Sequence, residues 1–182
     1  MKNFVFFFLA AFLLLFSSCE TEALEQDVQQ TQLEADLQAN KAHAKAVLSF
    51  KAHLSGDEEV PAVMTDATGQ TIFKLSKDGS ELHYKLIVAN IENVAAAHIH
   101  AAPAGENGGV VAFLYGGGLI DGRTNGILAE GVITADDLIG SLAGQSLEDL
   151  VDLMGSGGTY VNVHTSFKPS GEIRGQISAN NY

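Results

Sequence analysis

The pattern of hydrophobic and polar positions divides the chain into three regimes. Phe4 to Phe16 is an unbroken apolar run of 13 residues, too short to cross the ~30 Å hydrocarbon core of a bilayer as a helix. Residues 20–46 are polar, with Leu24, Val28, Leu33 and Leu37 at a partial helical spacing that does not persist for three heptads. From Leu48 onward the period changes to two. Leu48, Phe50, Ala52 and Leu54 fall on one side of an extended chain and Ser49, Lys51 and His53 on the other, the mark of a half-buried strand. A second strand is predicted at Gly69 to Leu75, a hairpin turn at Ser76-Lys77-Asp78-Gly79, and a third strand through Leu82, Tyr84, Leu86 and Val88. Further strands are expected at Ala96–Ala101, Val110–Leu114, Gly126–Ile133, Tyr160–His164 and Gly171–Ser178. Such strands, joined by Gly-rich turns, predict an all-β domain built as an antiparallel Greek-key-like β-sandwich.

One or two short helices interrupt that pattern. Thr134-Ala135-Asp136-Asp137 and Ser146-Leu147-Glu148-Asp149 each place a hydroxyl three residues before a carboxylate, which suits the first turn of a helix. That capping role accounts for Asp136 and Asp137 better than a calcium site does. Leu147, Leu150, Val151 and Met154 have helical spacing and are expected to face the core.

Composition sharpens the division. Six of the ten Phe lie between Phe4 and Phe16, and all 19 Gly lie between Gly56 and Gly175. The predicted organisation is therefore a leader over residues 1–18, an acidic tether over 19–46, expected as a frayed helix, a spacer or a short coiled coil, and a domain over 47–182. That domain carries 7 basic and 16 acidic residues, a charge of −9, and would repel a phosphate backbone, so no nucleic-acid partner is expected. The single Cys19 permits no internal disulfide, no redox pair and no thiolate zinc cage.

Met1-Lys2-Asn3 supplies a positive start to the apolar run, which reads as the hydrophobic region of a signal peptide. The run ends in Leu15-Phe16-Ser17-Ser18-Cys19, which resembles a bacterial lipobox, with Phe16 where Leu is commonest. The resemblance implies a lipoprotein in which Cys19 becomes the lipidated, palmitate-bearing mature N-terminus. The protein would then lie outside the cytoplasm in a bacterial cell envelope, at the outer membrane, with the membrane as its partner through the anchor. The alternative is an ordinary cleaved secretory signal.

The domain resembles the chordin-type (CHRD) domain. The likeness is carried by Leu54-Ser55-Gly56-Asp57-Glu58-Glu59-Val60-Pro61, Ala67-Thr68-Gly69, Ala97-His98-Ile99-His100, Gly105 and Gly108 before Val110-Val111, Gly131-Val132-Ile133-Thr134, Tyr160-Val161-Asn162-Val163-His164-Thr165 and Pro169-Ser170-Gly171-Glu172-Ile173-Arg174-Gly175-Gln176-Ile177. It implies an all-β module of secreted and surface proteins with no established catalytic role. A fainter likeness is to copper/zinc superoxide dismutase, through His98, His100, His164 and Arg174. The chain offers no metal-bridging histidine, no zinc-ligand loop and no disulfide pair, so dismutase activity is not expected.

Strand alternation places His98 and His100 on one face, with Ile99 on the other, and groups Tyr160, Asn162 and His164 opposite Val161 and Val163. If the aliphatic residues are core, the histidines and Arg174 point out of the sandwich. Three imidazoles suit copper or zinc, with Arg174 and Glu172 as supporting residues. The other reading is that the histidines bind loop carbonyls or carboxylates and order the turn from Ala101 to Gly109. Glu172 and Arg174 are a candidate exposed ion pair worth under ~1 kcal/mol. Asp57-Glu58-Glu59 reads as a solvated acidic loop rather than a calcium site, and His53 and His83 as surface residues. Gly116-Gly117-Gly118 lacks a phosphate-cradle pattern, and no Gly-x-Ser-x-Gly elbow is present. The expectation is a tethered binding or structural module with a protein or glycan ligand, no catalytic residues and no obligatory cofactor. The alternative is a copper- or zinc-binding protein, for metal handling or redox chemistry, using His98, His100 and His164.

Overall fold

The computed structural model describes residues 30–36 and 48–180. The predicted leader, Cys19 and most of the predicted tether lie outside the described residues. The chain divides into two compact units, Met1–Asn40 and Lys41–Tyr182. Of the first, residues 30–36 form an exposed helical stretch, α1. Among the described residues no helix is long and apolar enough to cross a membrane.

The second unit is built from antiparallel strands. They are β1 (Ser49–Ser55), β2 (Thr68–Leu75), β3 (Leu82–Ala101), β4 (Gly109–Tyr115), β5 (Ile120–Ile133), β6 (Thr159–Thr165), β7 (Ile173–Gln176) and β8 (Ser178–Ala179). The expected alternation in β1 holds, with Phe50, Ala52 and Leu54 buried between exposed Lys51 and His53. The β2–β3 hairpin closes on the expected turn. Asp78 accepts from Ser76 Oγ at 2.6 Å and from Ser80 N at 3.1 Å, and Gly79 takes φ +76°, a conformation that costs glycine least.

The third predicted strand and the one expected at Ala96–Ala101 are a single strand of 20 residues, β3. Its first half pairs with β2 and β5, and its second half with β4 and β6. Between the halves, Asn90 and Asn93 both take φ 57° and the register against β5 shifts. Asparagine tolerates this left-handed conformation better than most residues, and the resulting irregularities bend the strand. Through β3 the antiparallel sheet closes on itself, since the hydrogen-bonded path β2-β1-β7-β6-β3 returns to β2. Strand β5 begins at Ile120, earlier than the apolar pattern indicates, because Glu92 and Val94 of β3 extend the pairing to Arg123 and Ile120.

Apolar residues from the strands form one core, including Phe50, Phe73, Leu86, Ile99, Val161, Val163 and Ile173. Burying each such side chain stabilises the fold by roughly 1.5–3 kcal/mol. Of the two expected helices, Thr134 heads only a 3-10 turn, Ala135–Asp137, whereas Ser146 caps the α-helix Leu147–Gly155, α2. Leu147, Leu150, Val151 and Met154 of α2 face the core as their spacing requires.

At the start of α2, Asp149 N donates to Ser146 Oγ at 3.2 Å and Ser146 N donates to Asp149 Oδ2 at 2.9 Å. Ser146→Ala is expected to lower stability by about 1 kcal/mol. Urea denaturation checks this, and an unchanged midpoint would show that the cap contributes nothing.

Candidate functional site

The site follows from strand register. Ala97 pairs with Val163 and Ile99 with Val161, which places these residues on the core side. The intervening residues occupy the opposite face, where Ala96 pairs with His164, His98 with Asn162 and His100 with Tyr160. On the far side of β6, Asn162 pairs with Arg174 and Tyr160 with Gln176. On the far side of β3, His98 pairs with Phe113. The topology thus makes neighbours of His98, His100 and His164, whose strands were not known from sequence to be adjacent.

The imidazoles converge. His98 Nδ1 lies 3.0 Å from His164 Nε2, and one ligand atom from each of the three rings lies within 4.8 Å of the others. His100 Nδ1 meets Gly108 O at 2.9 Å, and His164 Nδ1 meets Pro169 O at 2.9 Å. A carbonyl can only accept, so both rings carry a proton on Nδ1 and, when neutral, a lone pair on Nε2. His98 must then donate its Nδ1 proton to His164. His100 Nε2 is buried without a well-formed hydrogen bond, with the Asn162 side chain beside the ring. Burial holds all three imidazoles below their usual basicity, and His98 is pushed down to about 4 by burial and by the charges that His164 and His100 can carry. Neutral imidazole is the form that ligates metal.

The histidines point away from the core as alternation requires, and His98 and His164 are half-buried, but the face is largely covered, a correction to the expectation that His100 and Arg174 point outward. His100 is buried, as are Tyr160, Asn162 and Arg174, the last only 1% exposed. Loops fold over this side of the sheet, which alternation within a strand cannot report. Asn107 Nδ2 donates to Val60 O at 2.7 Å, joining the loop after β3 to the loop after β1. Beneath them Arg174 donates to Asn107 Oδ1 at 3.2 Å and to Pro103 O at 3.3 Å. Its guanidinium sits 3.4 Å from the centroid of Tyr160, whose ring stacks on His100 at 4.8 Å and 9°.

Glu172 does not form the expected ion pair with Arg174. Its carboxylate accepts from Thr65 Oγ1 at 2.7 Å and Thr165 Oγ1 at 2.6 Å. The buried acid beside Arg174 is Glu59, 7% exposed, so the loop read as solvated exposes Asp57 and Glu58 but withdraws their neighbour. Gly171 takes φ +127°, and a Cβ there would run into Glu59 Oε1 and Asn162 Nδ2. Neither Glu59 Oε1 nor Asn162 Oδ1 makes a well-formed hydrogen bond, although the Asn162 amide lies beside the Glu59 carboxyl. Asp137 accepts from Thr134 N and Oγ1, each at 2.8 Å, in its capping role.

A family model described as CHRD domain matches residues 50–177. The chain belongs to the CHRD domain family. No curated protein and no solved structure matches it. In this CHRD domain, segments far apart in sequence meet at one place: Glu59, the His98-Ile99-His100 strand, the Tyr160–His164 strand and Arg174. Among the described residues, the three histidines are the one group of at least three His, Cys, Asp or Glu side chains close enough to hold an ion. Glu59 escaped the sequence reading because nothing in its periodicity separates it from Asp57 and Glu58. Tyr160 and Asn162 were legible only as sharing a face with His164.

Burial pushes the Glu59 carboxyl up to about 7, against the Arg174 charge, the Val60 N–H and the Asn162 side chain, which pull it down. An unfolded chain loses this proton near 4.5, whereas the folded chain holds it to about 7. The folded state therefore binds more protons in that window, and the contribution to stability falls as pH rises through it. The stability difference, wild type minus Glu59→Gln, is expected to fall between about pH 4.5 and 7 and to level off above. Urea midpoints across pH measure it, and a constant difference would contradict the assignment.

Proposed function

We propose that this CHRD domain is a membrane-tethered, extracytoplasmic module that binds a late first-row metal ion, copper or zinc, through His98, His100 and His164. The observation that supports this most is the convergence of three neutral imidazoles around the buried Nε2 of His100, which lacks a well-formed hydrogen bond. Two ligands held at the typical ~2.0–2.1 Å from one zinc ion lie at most about 4.2 Å apart. The 3.0 Å separation of His98 and His164 fits within this limit, whereas the wider spacing of up to 4.8 Å exceeds it, so binding an ion requires the rings to draw closer. His98 also has to move its proton from Nδ1 to Nε2 if Nδ1 is the ligand. The carbonyl bonds of His100 and His164 fix the tautomer and aim Nε2, a role that outer partners of metal-bound histidines commonly play. Nitrogen ligands bind Cu(II) more tightly than Zn(II).

The same carbonyl bonds favour a second reading, a module in which the histidines tie down the loops at Gly108 and Pro169 without metal. Calorimetric titration of the purified full chain with copper and zinc separates the two. Binding heat near one ion per chain that disappears in a His98→Ala, His100→Ala variant is expected. An absence of heat, or heat that survives both substitutions, would leave only the loop-ordering role.

The tether is supported by the positive start, the 13-residue apolar run and the lipobox-like Leu15–Cys19. Each acyl CH₂ buried in the membrane adds ~0.8 kcal/mol, so several chains on Cys19 give durable anchoring. Removing residues 1–18 leaves 9 basic and 22 acidic residues, a charge of −13, which gives the protein no electrostatic attraction to an anionic lipid surface. The anchor would therefore be the acyl chains. Cys19→Ser is expected to move the protein out of the membrane fraction, and processing of the wild type is expected to stop under a lipoprotein signal-peptidase inhibitor. A Cys19→Ser protein that stays in membranes after signal cleavage would overturn the anchor.

A further inference from the structure

We propose that Arg174 is a positioning residue for the histidine site, acting on His100 through Tyr160 and through the loop that follows β3. This rests on the metal-binding reading above. His100 has to present Nε2 toward His98 and His164, and two contacts determine whether it does. The plane of its ring is set by stacking on Tyr160, at 4.8 Å and 9°. The direction of Nε2 within that plane is set by the Nδ1 bond to Gly108 O at 2.9 Å.

Arg174 supports both contacts. A guanidinium 3.4 Å from the Tyr160 centroid leaves that face no room for a parallel ring, so His100 and Arg174 take opposite faces and Tyr160 is clamped between them. The donors of Arg174 reach Pro103 O and Asn107 Oδ1, in the same loop whose Gly108 supplies the carbonyl to His100. Gly108 is also tied to Tyr160, its N–H donating to the phenol oxygen at 3.3 Å. Withdrawing a guanidinium from water to 1% exposure is costly unless its charge, plane and donors are all engaged. Here the plane meets Tyr160 and the donors meet the loop, and the Glu59 carboxyl beside it adds an opposite charge once its proton leaves, near pH 7.

Lysine keeps the charge but has neither the plane to clamp Tyr160 nor the fork to span two loop acceptors. The test uses Cu(II) alone as the probe on the full chain, with electron paramagnetic resonance to count coupled nitrogens and a competition titration to measure affinity. The expected wild-type spectrum shows three nitrogens. Arg174→Lys, with cooperative thermal unfolding intact, is expected to bind Cu(II) roughly 10–100-fold more weakly and to show one nitrogen fewer, matching His100→Gln. Arg123→Lys, which alters an exposed arginine paired with Glu92, is expected to leave both readouts unchanged. Should Arg174→Lys fail to fold, Tyr160→Leu removes the same clamp from the other side and carries the same expectation. Wild-type affinity in the clamp variant overturns the inference. So does weaker binding with all three nitrogens retained, since that would be a merely structural effect. A wild-type chain without three-nitrogen coupling overturns the metal site itself, a result distinct from either.

Discussion

The pairing of β3 with β6 is the constraint on which the rest of the structure depends. With Ile99 opposite Val161 and Ala97 opposite Val163, one face of two adjacent strands is committed to the core. The other face then has to carry His98, His100 and His164 together. A slip of one residue would turn every side chain of β6 to the wrong face, burying His164 and Asn162 in the aliphatic core and exposing two valines. The hydrophobic energy that fixes this register also assembles the histidine cluster, so the fold and the site are specified by the same contacts.

What the register places together, the loops then remove from water. Burial is the largest influence on each of the three imidazoles, and it keeps them neutral. The arrangement holds fewer protons than it has converging nitrogens. His98 lends one to His164, while His100 Nε2 is left with none. Asn162 Oδ1 and Glu59 Oε1 are also buried without a well-formed hydrogen bond. Each unsatisfied buried polar atom costs about 1–3 kcal/mol. Three of the five such atoms among the described residues lie near Arg174 and the histidines, which marks this part of the protein as less than optimal for stability, as expected where a site serves something other than the core. The other two are Thr71 Oγ1 in β2 and Thr159 Oγ1 in β6, whereas the Asp78 turn and the Ser146 cap satisfy local rules.

Much of this was legible in the sequence. Alternation identified the inward face of β1 and the shared faces of His98 with His100 and of Tyr160 with His164, because a period of two follows from the pleat itself. The hydroxyl-to-carboxylate spacing at Ser146 identified a helix start. At Thr134 the same spacing yields only a single 3-10 turn, since Ile139 N instead bonds to Val111 O and the following chain is drawn to β4. The continuity of β3 was hidden because the clear alternation stops at Val88 and resumes at Ala96, whereas Asn90 and Asn93 act as bends within one strand. The burial of Arg174 and Glu59 depends on loops meeting over the sheet through Asn107 and Val60, residues separated by 47 positions. No local pattern reports such a closure. Similarly, Glu172 shares a strand face with Arg174 by period yet finds its partners on Thr65 and Thr165.

The account joins a rigid sheet, which fixes where the histidines are, to loops that fix which nitrogen each presents. Its central claim is that three imidazoles bind one ion together. X-ray absorption at the zinc edge on the zinc-loaded full chain tests it most directly. The expected result is a first shell containing three imidazole nitrogens at about 2.0–2.1 Å, with the outer-ring scattering that imidazoles produce. A first shell of oxygens, or a chain that takes up no zinc, would contradict it.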